Sequence, residues 1–164
     1  MRTGHFFAAV LAGTVVLVAG SGSAQVLSEK QISLALAHDI AMAAVDQCRK
    51  DGFRVAATVV DRAGRTKVVV RDDGTGPHTV EASQRKAYTA AIFRVATAAF
   101  AERVKQPAAA ALINLEHVIA LQGGVPIKAE DEVIGAVGVG GAPGGDKDEV
   151  CALAGIQKVA DRFH

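Results

Sequence analysis

The chain has 164 residues, 18 Lys and Arg against 17 Asp and Glu, half of its residues hydrophobic, no tryptophan and one tyrosine, Tyr88. That charge balance leaves no basic excess to hold a nucleic-acid backbone and no polybasic patch for anionic lipid, so nucleic acid is not an expected partner. The length suits one domain with a real core.

Arg2, the apolar run from Phe6 to Ala19 and the small residues Gly22-Ser23-Ala24 before Gln25 read as a secretory signal peptide over residues 1–24. The domain is then 25–164, expected to be periplasmic or secreted and free of the membrane after cleavage. The run is too short to span a bilayer comfortably, and the small residues behind it disfavour the alternative of an uncleaved anchor. In such a compartment disulfides persist. Cys48 and Cys151 are therefore either a bridge between the first helix and the last or two small buried apolar side chains.

Ser28 followed by Gln31 signals a capping box, and Ile32, Leu36, Ile40 and Ala43 repeat at helical spacing, predicting a helix from about Glu29 to Lys50. A second apolar row, Leu34, Met42 and Val45 with His38 inside it, is wider than packing on one sheet requires, so another helix or another subunit is expected to cover it. Val55–Val60 and Lys67–Arg71, joined by the polar turn at 61–65, predict a β-hairpin. The segment Asp72 to Pro77 breaks the pattern before a helix that begins near Thr79, carries Lys86-Ala87 and ends near Phe93 or Arg94. A shorter helical piece is expected from Ala96 to Val104, and another opening at Pro107.

Val118–Leu121, Val125–Lys128 and Glu132–Val139 predict three further strands, with Ala129-Glu130-Asp131 turning between the last two. Gly135 and Gly138 interrupt the last strand, which points to close approach of a helix, a ligand or another chain. Asp146 with Glu149 three residues on caps a closing helix whose apolar row is Leu153, Ile156, Ala160 and Phe163. Hairpin-joined strands grouped between helices predict an α+β domain with one antiparallel, five-stranded sheet.

Gly138 to Gly145 before a helix invites a phosphate-loop reading, which the details oppose. The last glycine of a GxGxxG pattern falls on Pro143, no Gly-Lys-Ser/Thr follows, and Asp146, Asp148 and Glu149 put negative charge where a phosphate would sit. No Gly-x-Ser-x-Gly, His-Glu-x-x-His or local Cys-His signature supports hydrolase chemistry.

The Gly123-Gly124 pair, the Val125-Pro126-Ile127 step, the strand IGAVGVGG from Ile134 and the Asp148-Glu149 pair resemble the C-terminal half of the HbpS-like (GlcG) haem-binding family. The stretch SQRKAYTAAIFRVAT, Ser83 to Thr97, resembles that family's helix pattern, and with the N-terminal helix and hairpin the resemblance covers the chain after Gln25. It implies a profilin-like sheet, a homo-oligomer, and a protein that binds haem and sequesters it or assists its degradation. It also implies a site neighbourhood in which Lys86 stands beside Asp73-Gly74 and Gly123-Gly124, with Pro126, Gly140 and Gly141 close by. A serine commonly precedes the final glycine near Gly140-Gly141 in the family, and this chain has none.

Haem needs a flat apolar slot, an axial ligand, and a cation or N–H donors near its propionates. Without Cys-x-x-Cys-His, covalent attachment is excluded. The axial candidates are His38, His78, His117 and His164. His38 leads, as a metal ligand projecting from an otherwise apolar helix face, its ordinary alternative being a core histidine bonded to a carbonyl. Arg71, Lys86 and Arg94 are candidate partners for a carboxylate-bearing ligand, Lys86 and Arg94 sharing a face at a spacing of eight, and each is otherwise a solvated surface charge. Some relatives bind iron through acidic motifs, and Asp72-Asp73, Glu130-Asp131-Glu132 and 146–149 offer oxygen ligands here without a clean Glu-x-x-Glu. Nothing in the sequence identifies how electrons for haem degradation would arrive, so enzymatic turnover is left open. The alternative is a non-enzymatic small-molecule module that binds or senses an organic acid or a corrinoid-like ligand, and a third reading is a structural oligomer with a vestigial cleft.

Overall fold

The computed structural model describes residues 26–163. The expected signal peptide, 1–24, and the axial candidate His164 lie outside the described residues. Helix α1 is Leu34–Lys50, β1 Ala56–Asp61, β2 Thr66–Arg71, α2 His78–Phe93, α3 Thr97–Arg103, β3 Gly124–Ala129, β4 Glu132–Gly140 and α4 Gly145–Gln157. Short 3-10 turns lie at Ala110–Asn114 and Ala160–Arg162. Among the described residues no helix is long and apolar enough to cross a membrane.

The strands form one antiparallel sheet in the order β2-β1-β4-β3, so the chain is α+β with four strands and not five. The absent strand is Val118–Leu121, which is irregular. Side chains of α2 take the backbone groups that a ladder would have used: Arg85 Nη2 donates to the Val118 carbonyl at 2.8 Å, and Thr89 Oγ1 accepts from the Ile119 N–H at 3.0 Å.

Helix α1 starts later than the capping-box reading places it. Residue Ile32 donates its N–H to the Ile134 carbonyl at 3.1 Å, tying the segment before α1 to β4, and Ser33 becomes the cap by accepting from the Leu36 N–H at 3.2 Å. Along β1 the side chains alternate between two layers. Val59 with Val137, Val139, Val125 and Ile127 meets Ile40, Ala44 and Val45 of α1 and Ala152 of α4. On the other face Val60 and Ala136 meet Ala87, Ala90 and Ala91 of α2, and Thr58 Oγ1 bonds Ser83 Oγ at 2.8 Å.

Close approach explains the glycines of β4. A Cβ on Gly138 would lie 2.5 Å from the Ala87 nitrogen of α2, and one on Gly135 would lie 3.0 Å from Ile32 Cγ2. A helix and the N-terminal segment, both of this chain, are what the sequence signal records.

Cys48 and Cys151 are joined, with their Cα atoms 5.5 Å apart and both side chains inaccessible, so α1 is bonded to α4. Only part of the expected apolar row turns inward: Ile156 and Phe163 pack against the core as partly buried side chains, whereas Leu153 is 50 % exposed and Ala160 lies at the surface. The buried residues of α4 are Asp148, Cys151, Ala152 and Gly155. The expected Asp146–Glu149 cap is absent too: Gly144 holds the cap position and no side chain bonds there.

One end of the sheet gathers the functional candidates. There β2 ends at Arg71, β1 begins at Ala56 and β4 ends at Gly140, in register across the three strands, and β3 begins at Gly124. The loops leaving this end deliver the N-termini of α2 and α4.

Candidate functional site

At this end Lys86 is buried, 4 % exposed, on the sheet side of α2, its side chain leaning back toward the helix N-terminus as helical side chains do. Its Nζ donates to the Val139 carbonyl at 2.9 Å and to Asp148 Oδ2 at 2.7 Å. The other carboxylate oxygen of Asp148 accepts from the Ala142 N–H at 3.0 Å. Burial pushes the Asp148 carboxyl above the ordinary aspartate value, and the Lys86 ammonium opposes that shift.

The glycine pair serves this ion pair. Gly123, at φ +118°, has Lys86 Nζ 3.0 Å and Asp148 Cβ 2.7 Å from where its own Cβ would be. Gly124 donates its N–H to Thr97 Oγ1 at 2.8 Å beneath α2. Lys86 is thus committed to Asp148 and a carbonyl inside the protein, and the sequence offered no sign that Asp148, 62 residues away, was its partner.

Arg71, Asp73 and His78 stand exposed at the same end. Gly140 lies under Ala82 and the Thr79 carbonyl, Gly141 lies against the backbone of Arg54 and Val55, and Pro126 sits half-buried opposite Ala136. Arg94 is not with them. Helix α2 ends at Phe93, and Arg94 takes a left-handed conformation, φ 57°, exposed at the opposite end of the helix from His78, so the expected shared face with Lys86 does not form.

His38 is also elsewhere and, in place of the burial its pattern suggested, it is open: its side chain is 60 % accessible. Helix α1 turns Ala37, Ile40, Ala41, Ala44, Val45 and Cys48 inward, and α4 packs on that side, so of the second apolar row only Val45 is covered. Leu34, His38 and Met42, four apart, remain on an outer face, with Leu34 62 % exposed and Met42 half-buried.

His38 Nδ1 lies 3.3 Å from Asp39 Oδ1, and Asp39 Oδ2 accepts from Arg162 Nη1 at 2.7 Å. The Arg162 bond, followed by the His38 bond, holds the Asp39 carboxyl below the ordinary aspartate value. Beside them is a shallow cavity of about 260 Å³ lined by Met42, Ala43, Lys158, Val159 and Arg162 together with Asp39 and Asp46. An ionised carboxylate only accepts, so a neutral ring bonded to it through Nδ1 presents Nε2 as a free lone pair. The His-Asp neighbours were visible in the sequence. Arg162 was not, because its contact spans 123 residues.

His117 is exposed at φ 64°, edge-on to Tyr88 with ring centroids 5.7 Å apart, over a groove of about 500 Å³ that also includes Glu81, Arg85 and Glu116. Among the described residues no three His, Cys, Asp or Glu side chains converge to hold a metal ion, so the acidic clusters form no cage for iron. Haem asks less of the protein, one axial nitrogen, an apolar seat and cations for two carboxylates. The outer face of α1 brings Leu34, His38 and Met42, and the adjoining C-terminal segment brings Lys158 and Arg162.

The fold is an α+β domain in which an internal ion pair closes one end of the sheet and a histidine is presented on a helix surface. A family model described as "Haem degrading protein HbpS-like" matches residues 32–157, and the chain belongs to that family. Protein GlcG of Escherichia coli K12 is 32 % identical over 108 residues, which is 66 % of this chain and 80 % of GlcG. The crystal structure of HbpS superposes with a TM-score of 0.79 at 37 % identity, covering 82 % of this chain and 94 % of that one. A structure of PduOC in complex with haem has the same fold, with a TM-score of 0.69 at 24 % identity over 77 % of this chain and 94 % of the other.

Proposed function

We propose that this chain is an exported haem-binding protein that sequesters haem, with His38 as the axial ligand on the outer face of α1. The observation that carries the reading is the imidazole itself, exposed, bonded through Nδ1 and free at Nε2, on a face shared with Leu34 and Met42. Iron takes a neutral imidazole nitrogen, and a hydrogen bond at the other nitrogen both orients the ring and raises its basicity. Leu34 and Met42 would seat the apolar macrocycle, and Lys158 with Arg162 would meet the propionates by charge-assisted hydrogen bonds. Bound haem would bring iron redox chemistry, and this chain's residues hold, orient and charge-pair the group. The family's description and the haem complex of a protein with this fold support the choice of ligand. The Cys48–Cys151 bridge supports export, since disulfides persist outside the cytosol. A haem held against one exposed helix keeps its other face open, which suits cover by a second copy of the chain.

The test is a haem titration of residues 25–164 followed by absorbance. A saturable Soret shift lost in His38→Ala is expected. A shift no larger than that of an unrelated protein would sink the haem reading, and thermal stabilisation by a carboxylate ligand in its absence would favour the organic-acid or corrinoid-like module instead.

A further inference from the structure

We infer that Asp39 and Arg162 form a positioning pair that fixes the tautomer of His38, so that the C-terminal turn of the chain controls whether Nε2 is available as a ligand. The step rests on the haem reading only for its consequence in binding; the tautomer is a property of the protein alone.

A neutral imidazole carries one hydrogen, and which nitrogen bears it is decided by the partner of either. Adjacent residues on a helix point about 100° apart and do not ordinarily face each other. Here Asp39 nevertheless lies 3.3 Å from Nδ1, and what draws the carboxylate is Arg162, 2.7 Å from its other oxygen. A carboxylate gives no hydrogen, so the ring must supply it from Nδ1, which strips Nε2 bare.

Arg162 is held in turn. It lies in the 3-10 turn Ala160–Arg162, its N–H is donated to the Val159 carbonyl at 3.0 Å, and Val159, 3 % exposed, is part of the main core cluster. The relay therefore runs from the core through Val159 and Arg162 to a carboxylate and a ring on α1. All three side chains are about half accessible, so each bond contributes little to stability. Their effect is on ring orientation and hydrogen placement, and the groups hydrogen-bonded to metal-bound histidines typically change affinity about 10- to 100-fold.

The experiment is nitrogen-detected NMR of the His38 ring in the haem-free domain, residues 25–164, at a pH where imidazole is neutral, compared with Asp39→Ala and Arg162→Ala, together with haem titrations of the same proteins. The expected result is an Nδ1-protonated ring in the parent, a shift toward the Nε2-protonated form in Asp39→Ala, an intermediate shift in Arg162→Ala, and haem affinity about 10- to 100-fold weaker in Asp39→Ala with the melting temperature unchanged. Arg162→Lys, which keeps a cation beside Asp39, should recover part of the Nδ1-protonated form. An unchanged tautomer in Asp39→Ala would overturn the inference. A tautomer shift with no Soret change in any of the proteins would uphold the positioning pair and overturn the haem reading alone.

Discussion

Lys86 illustrates how a residue's role turns on one partner. As a lysine near two glycine pairs it reads as a cation waiting for a ligand's carboxylate, and its own carboxylate, Asp148, turns out to be internal at 2.7 Å. Both side chains are about 95 % inaccessible, so each is tolerable only while the other is present. Asp148→Ala is expected to lower stability by about 3–5 kcal/mol, because it leaves a buried ammonium bonded only to a carbonyl. Adding Lys86→Met should restore much of that loss, since the cost lies in the unpaired charge and less in the missing attraction. Urea midpoints of the single and double variants decide it, and additive losses would show that the pair is not the unit. His38 is the converse case. Its helical spacing placed it in an apolar row, which the fold divides, burying Val45, leaving Leu34 outside and keeping His38 in the open.

At the scale of elements, all four helices and all four strands follow from patterns a reader can count. The hairpin, the turn at Glu130-Asp131, and the reach of α2 to Phe93 are local matters of β-branched runs, turn chemistry and helical period. What local pattern missed was decided by contacts between elements. Val118–Leu121 has strand composition, yet its backbone is bonded by Arg85 and Thr89 of α2. Helix α4 has an apolar row at Leu153 and Ile156, yet Gly155 lets it lie against α1, the Ile40 carbonyl 2.6 Å from where a Cβ would be, and turns Leu153 outward. The same logic makes Gly138→Ala a test of the helix-to-sheet distance. The methyl would meet backbone of α2, which cannot swing aside as a flexible side chain does, so a loss of at least about 1–3 kcal/mol is expected by denaturant unfolding. A neutral result would mean that α2 sits farther from β4 than described.

For the whole molecule, the Cys48–Cys151 bridge spans 103 residues and joins the two helices of one layer. In the chain-entropy account a loop of that length restricts the unfolded state by about 4–5 kcal/mol. Replacing both cysteines by serine should lower stability by up to that amount, and reductant should act on the parent only once unfolding exposes the bridge, because both sulfurs are inaccessible in the folded chain. Equal stability of the parent and the double variant in unfolding curves would refute this. The sequence alone determined the α+β class, the antiparallel hairpins, the family and the pool of candidate residues, because these depend on short-range periodicity and on motifs contiguous in the chain. Only the tertiary structure decided that Lys86 is spent on Asp148, that Cys48 meets Cys151, that the sheet stops at four strands, and that His38 faces outward beside Asp39 and Arg162. Each of those outcomes rests on groups tens of residues or more apart being brought within a few ångströms, and the packing that does so is set by all the elements together.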